Sequence, residues 1–154
     1  MSKCFSVGVA LAALLVSLGS AVSATEGHGS QQALDFRSAN MIIYKWYMGP
    51  MGRMAKGEMP YDQALFQKNA EALATATRLD LLAGFPKGSL DEDSEAKPEI
   101  WDNWSEFEEK FNTLQMESEK LAGVAAKGDR SATLSQFKNT GKTCGGCHKK
   151  YREK

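Results

Sequence analysis

Alternation of apolar and polar residues, the mark of a β-strand, is missing from this sequence at any useful length. An excess of one charge is missing too. The 19 basic side chains are matched by 19 acidic ones, which excludes the basic stripe of a nucleic-acid binder. Histidine is scarce, with two residues, and cysteine nearly so, with three. Three cysteines are too few for a disulfide scaffold. Apolar runs are short: residues 7–16, broken only by Gly8, fall below the roughly 20 residues that a spanning helix needs. No internal repeat or low-complexity tract appears. No nucleophile is paired with a base, so hydrolase or transferase chemistry has no carrier, and an enzyme is not expected.

What is present begins with an export signal. Lys3 supplies a positive charge ahead of the apolar run, and "SLGSAVSA" follows with Val22 and Ala24 at the −3 and −1 positions of a cleavage site. Residues 1–24 read as a signal peptide, and residues 25–154 as one mature domain outside the cytoplasmic membrane. Cys4 lies before the apolar run, so it is not the lipidated cysteine of a lipoprotein. Cleavage removes Lys3 and Cys4, leaving 18 basic and 19 acidic side chains and only Cys144 and Cys147 as thiols.

Four stretches read as helices: residues 30–55, 62–83, 100–126 and 129–152. The first carries Leu34, Met41, Ile42, Tyr44 and Met48. The second has Ala64, Leu65, Ala72, Leu73, Ala76 and Leu79 at helical spacing. In the third, Phe107, Phe111, Leu114, Ser118, Leu121 and Ala125 step by four and three. Phe137, Cys144 and Tyr151 lie seven apart in the fourth. Gly57 can close the first helix in the left-handed region, Pro60 blocks its continuation, and Asp62 can cap the second. Pro98 suits a first helical turn, and Asp129 follows a tight "KGD" turn as the cap of the last. Pro50, between Gly49 and Gly52, predicts a kink. The connections are short, long and short. They predict an all-α fold, an antiparallel up-down-up-down four-helix bundle.

The chemistry concentrates near the end, in "TCGGCHKKYR". On a helix, Cys144, Cys147 and His148 share a face. Cys-x-x-Cys-His at that spacing is the attachment signature of c-type haem, with two thiols for the vinyl groups and an imidazole for the iron. Gly145 and Gly146 would leave room beside the porphyrin. Two alternatives stay open: a thiol-redox pair, which favours a strand-to-helix turn, and a zinc site, which needs four ligands where only His28 could add to the set.

Here the sequence resembles the class II cytochromes c, cytochrome c′ in particular, over nearly all of its mature length. The resemblance is carried by Arg37 with Met41 one turn later, "KGEMPYD", "AKPEIW", "KGD" and the terminal "GKTCGGCHKKYR". It implies a bundle with one covalent haem c, Cys144 and Cys147 as thioether cysteines and His148 as axial ligand. It implies Arg37 beside the haem propionates, with Ser38 following where the family often has glutamine. Glu95 falls at an acidic haem-edge position, and Arg152 one turn after the histidine near the proximal face. Met41 stands where cytochrome c′ has a bulky apolar residue over a vacant sixth site, which admits only diatomics such as NO or CO. In a low-spin branch a methionine there ligates iron and the protein is purely an electron carrier. Arg37 belongs to the first pattern. The resemblance further implies a periplasmic location, an unidentified redox partner and a homodimer through the first two helices.

Other side chains have plainer readings. The first helix is rich in Tyr44, Trp46, Tyr47, Met48 and Met51, enough for a core face, a pocket lining and a dimer face together. Trp101 and Trp104 read as packing. The acidic residues 91–95 read as a solvated loop, and Lys149 and Lys150 as a solvated helix end that favours the dipole.

Overall fold

A computed structural model describes residues 22–90 and 92–153, with side chains from residue 29 onward. The signal-peptide reading falls largely on residues 1–21, outside the described residues, as does Asp91 of the acidic loop. The side chain of His28 is outside them as well. The described residues form α1 (Val22–Lys56), α2 (Gln63–Thr77), a 3-10 turn (Leu81–Gly84), α3 (Glu99–Asp102), α4 (Trp104–Ala125) and α5 (Arg130–Tyr151). The four long helices are the four expected, in an all-α bundle. Among the described residues no helix is long and apolar enough to cross a membrane.

Local chemistry sets the ends of these helices. Gly57 and Gly128 take φ of 77° and 75°, the left-handed conformation that ends α1 and makes the turn before α5. Asp62 accepts a hydrogen bond from the Leu65 amide at 2.9 Å, and Asp129 from the Ala132 amide at 3.0 Å. Each carboxylate satisfies one of the amides that a helix start leaves unpaired.

Three boundaries differ from the sequence reading. Helix α1 begins at Val22 and runs unbroken through Pro50. A proline removes one ladder bond, and here Tyr44 on one side and Met51 and Met54 on the other hold the helix in the core. Helix α2 stops at Thr77, and residues 81–84 tighten into the 3-10 turn, capped by Asp80 through the Ala83 amide. The third helix is interrupted at Asn103, whose φ of −127° is not helical, so α3 is a single turn set off from α4.

The core shows why some apolar residues lie outside it. In α2 the buried stripe is Phe66, Ala70, Leu73 and Thr77, spaced by four, three and four. Ala64 and Leu79, expected inside, lie off that stripe and are exposed. The buried stripe of α1 is Ala33, Arg37, Asn40, Tyr44, Met51 and Met54. Ile42 falls on its far side and is 66% exposed. In α4 Phe107, Phe111, Ser118, Leu121 and Ala125 are buried as the spacing predicts, with Leu114 half-buried.

Helix α1 packs along α2, α2 along α4, and α4 along α5. The fourth edge of the bundle, α1 against α5, is different. It closes at one end, where a first side-chain carbon at Gly52 would stand 3.8 Å from the Phe137 ring. Beyond that point the two helices do not pack along each other.

At the far end of this open edge, residues 84–97 bridge the two helices. Buried Arg37 donates to the carbonyl oxygens of Gly84 at 2.7 Å and Ser89 at 3.1 Å, and to the hydroxyls of Ser89 and Ser94. On the other side the Lys97 amide donates to the Tyr151 carbonyl at 3.0 Å, and the Glu153 amide to the Glu95 carbonyl at 2.7 Å. Beneath the bridge an edge-to-face aromatic series joins Phe85, Phe107 and Tyr151, with centroids 4.8 and 5.2 Å apart. Trp101 donates its indole N–H to the Phe85 carbonyl and Trp104 packs on Phe107, so both tryptophans are packing residues. Gly84 must be glycine here: a side chain would start 2.8 Å from the Phe36 ring.

Candidate functional site

The chemical groups gather on α5: Cys144 lies near Tyr44 of α1, and Cys147 lines a cavity with Glu106, Glu109, Lys110 and Thr113 of α4. On α5, Cys144, Cys147 and His148 are all half-buried, on the face that helical spacing predicts. Both thiols are free. Burial pushes the Cys144 thiol above its usual range. It does the same for Cys147, where nearby Lys110 opposes the effect without overcoming it. The Cys144 thiol leans on the Thr140 carbonyl at 3.8 Å. A redox-active pair needs the opposite, a thiol pushed toward thiolate. His148 is held below the usual imidazole range, first by burial and then by Arg152, with Glu95 opposing. Its ring is therefore neutral near pH 7 and keeps a lone pair for a metal. Among the described residues no group of three or more His, Cys, Asp or Glu side chains could hold a metal ion together.

On α1, Met41, Lys45, Met48 and Gly52 form a row, spaced by four, three and four. Gly52 meets Phe137 of α5, which identifies the row as the flank turned toward that helix. The helices run antiparallel, and the Cys144 thiol is near enough to Tyr44 to raise its pKa. Both observations give one register, in which Met41 and His148 fall at the same level along the two helices. Met41 is 37% exposed.

The remaining expected residues divide into two groups. Arg37 is 5% exposed and, besides its hydrogen bonds to the 84–94 segment, lies over the Phe85 ring at 5.2 Å. It therefore also anchors the loop, a role the sequence did not reveal. Ser38 is exposed on the flank beside Met41. Glu95 and Arg152, expected on separate grounds, form one unit. Arg152 Nε donates to the Glu95 carboxylate at 2.7 Å, and an antiparallel bridge joins Ala96 to Arg152. Both charges reach His148. Gly145 and Gly146 are exposed, and no protein atom lies within 4 Å of a side chain added at either.

Tyr44 was missed as a site residue. Its hydroxyl is buried without a hydrogen-bond partner, as is the side-chain oxygen of Asn40 one turn earlier. Buried polar atoms rarely stay unpaired. Ser118, Thr133 and Tyr151 also carry unpaired buried hydroxyls, and Tyr44 is the one whose pKa the Cys144 thiol affects. A large flat haem fits these residues. Cys144 and Cys147 can take the covalent bonds, His148 the iron, and the unpacked edge the macrocycle.

A helical bundle whose last helix turns Cys-x-x-Cys-His toward an unclosed edge defines a class, the bundle-type cytochromes c. Comparison with known proteins narrows the class to one family. The family model for cytochrome C' matches residues 32–152. The cytochrome c' of Halomonas halodenitrificans is 35% identical over 128 residues, covering 79% of this chain and 96% of that protein. The solved cytochrome c prime of Shewanella frigidimarina superposes with a TM-score of 0.78 at 33% identity, covering 81% of this chain and 97% of the other. A nitric oxide complex of a mutant cytochrome c prime from Alcaligenes xylosoxidans gives a TM-score of 0.73 at 31% identity, covering 81% and 96%. The chain belongs to the cytochrome c′ family, and its cofactor is covalent haem c.

Proposed function

We propose that this protein is a periplasmic haem c protein that transfers single electrons and binds NO or CO at a five-coordinate, high-spin iron. Met41 at the level of His148 supports a role for it over the iron, and Arg37, which belongs to the vacant-site pattern, favours the cap. Cys144 and Cys147 form the thioethers, and His148 supplies the one protein ligand. The haem supplies the redox couple and the open coordination site. The chain controls access: Met41 covers the open side with a flexible apolar side chain that a diatomic can push aside. Arg37 and Glu95 stand at the bridged end of the edge, where the propionates would find charge, and Ser38 beside Met41. Arg152, tied to Glu95, borders the histidine side. The nitric oxide complex of the Alcaligenes relative supports the gas-binding half. The export signal ending near Ala24 supports the compartment. The partners are NO or CO, a redox protein and a second copy of this chain through α1 and α2.

The placement that suits a cap also suits a ligand, so methionine-ligated low-spin iron is the second reading. Visible spectra of the ferric and ferrous forms separate the two. Five-coordinate spectra that persist in Met41→Ala support the cap. A low-spin spectrum that turns high-spin in Met41→Ala defeats it. Haem that stays with the polypeptide through acid-acetone extraction supports the thioethers, and haem lost in that step defeats them.

A further inference from the structure

Tyr44 is 7% exposed, and its hydroxyl has no partner and no contact with water. It lies one turn beyond Met41, on the same side of α1, and beside Cys144. Long helical side chains lean back over the preceding turn. Asn40 does not absorb the hydroxyl. Its amide nitrogen donates to the Phe36 carbonyl at 2.8 Å, while its oxygen is unpaired like the phenol. Tyr44 therefore holds a buried O–H donor on α1 beside Cys144 and one turn from Met41, with nothing in the polypeptide to receive it.

We propose that the Tyr44 hydroxyl donates a hydrogen bond to a diatomic ligand held in the sixth coordination site. The inference rests on the haem-binding reading above and deepens it by naming a residue that tunes the ligand. An otherwise apolar pocket admits diatomics by size alone. One donor adds a preference for ligands whose terminal atom carries partial negative charge, because the bond strengthens as electron density moves from iron onto the ligand. The phenol stays protonated and able to donate, since burial pushes its pKa above the ordinary value. Tyr44 acts on affinity and residence time and is not an electron carrier.

The ferrous protein with carbon monoxide tests this, read by the infrared C–O stretch and by the rate of CO release. In the native protein the stretch should shift when the solvent is changed to D2O. In Tyr44→Phe, which keeps the ring, it should move to higher frequency, lose the solvent-isotope shift, and release CO up to about tenfold faster. An unchanged stretch and unchanged rate in Tyr44→Phe overturn the proposal. Should that variant fail to hold haem, the D2O comparison on the native carbonyl decides alone, and no shift overturns it. Should the native protein refuse CO, the vacant-site reading fails. The comparison then moves to Met41→Ala with and without Tyr44→Phe, where a Tyr44-dependent stretch upholds the hydrogen bond and its absence overturns it.

Discussion

Tyr44 and Arg37 occupy the same buried stripe of α1, and burial makes different demands on each. The phenol of Tyr44 has an ordinary pKa of 10.0, pushed up to about 12 because the charged form would have to leave water. The folded state therefore holds this proton to higher pH than the unfolded chain. The stability it contributes is fully present below about pH 10 and is lost as pH rises through 12. Urea unfolding at pH 9 and pH 11.5 should show this loss, and Tyr44→Phe should show a smaller one. If the variant loses as much stability as the native protein, Tyr44 is not the group involved. Arg37 is stable as a buried cation because carbonyl and hydroxyl oxygens of the 84–94 segment surround it. Replacing it with methionine keeps the bulk and leaves the Gly84 and Ser89 carbonyls unpaired. The expected cost is about 2 kcal/mol in a denaturant titration. A cost near zero would mean that water takes over those bonds and that the loop does not depend on Arg37. Both residues are legible in the sequence as letters at helical spacing. Neither the loop that Arg37 holds nor the approach of Tyr44 to Cys144 can be read there, because each partner is distant in sequence.

Among the elements, α5 shows most clearly how a local signal serves the site. Its start is set by Asp129, whose carboxylate accepts from the Ala132 amide. Asp129→Ala should cost about 1 kcal/mol in a denaturant titration. Its haem signature lies four turns further on, so haem attachment should survive; loss of covalent haem in this variant would show that the cap is needed for more than stability. The end of α5 is held differently, by the pairing of Ala96 with Arg152 and the Glu95–Arg152 ion pair. The sequence announces Asp62, Asp129, Gly57 and Gly128 because caps and left-handed turns are made by neighbouring residues. The break at Asn103 and the early end of α2 carry weaker local signals. The chain leaves α2 at Thr77 so that Leu81, Gly84 and Phe85 can turn into the core, and tertiary packing makes that choice.

On the scale of the whole molecule, the bundle has three packed edges and one that closes only at the Gly52–Phe137 end. A bundle missing the packing of one edge gains stability from whatever fills it. The outside of α1 carries Ile42, 66% exposed, and Trp46, 74% exposed, four residues apart on a face away from the site. Apolar side chains so placed suit the proposed self-association through α1 and α2. Ile42→Lys with Trp46→Lys should convert a dimer to a monomer in sedimentation velocity and leave the haem spectrum unchanged. A dimer that persists in this double variant would move the interface elsewhere.

The sequence by itself determined the helices, their caps and the face shared by Cys144, Cys147 and His148, because each depends on residues within a few positions of one another. It also determined the family, since its motifs recur at their expected places along the chain. Only the tertiary structure decided that Met41 and His148 fall at one level, that Glu95 and Arg152 act as a pair beside the histidine, and that Tyr44 holds an unpartnered hydroxyl near Cys144. Those relations join residues about 60 to 110 positions apart. They exist only once α1 and α5 are set in antiparallel register, and that register is established by packing at the far end of the edge, where Phe137 meets Gly52.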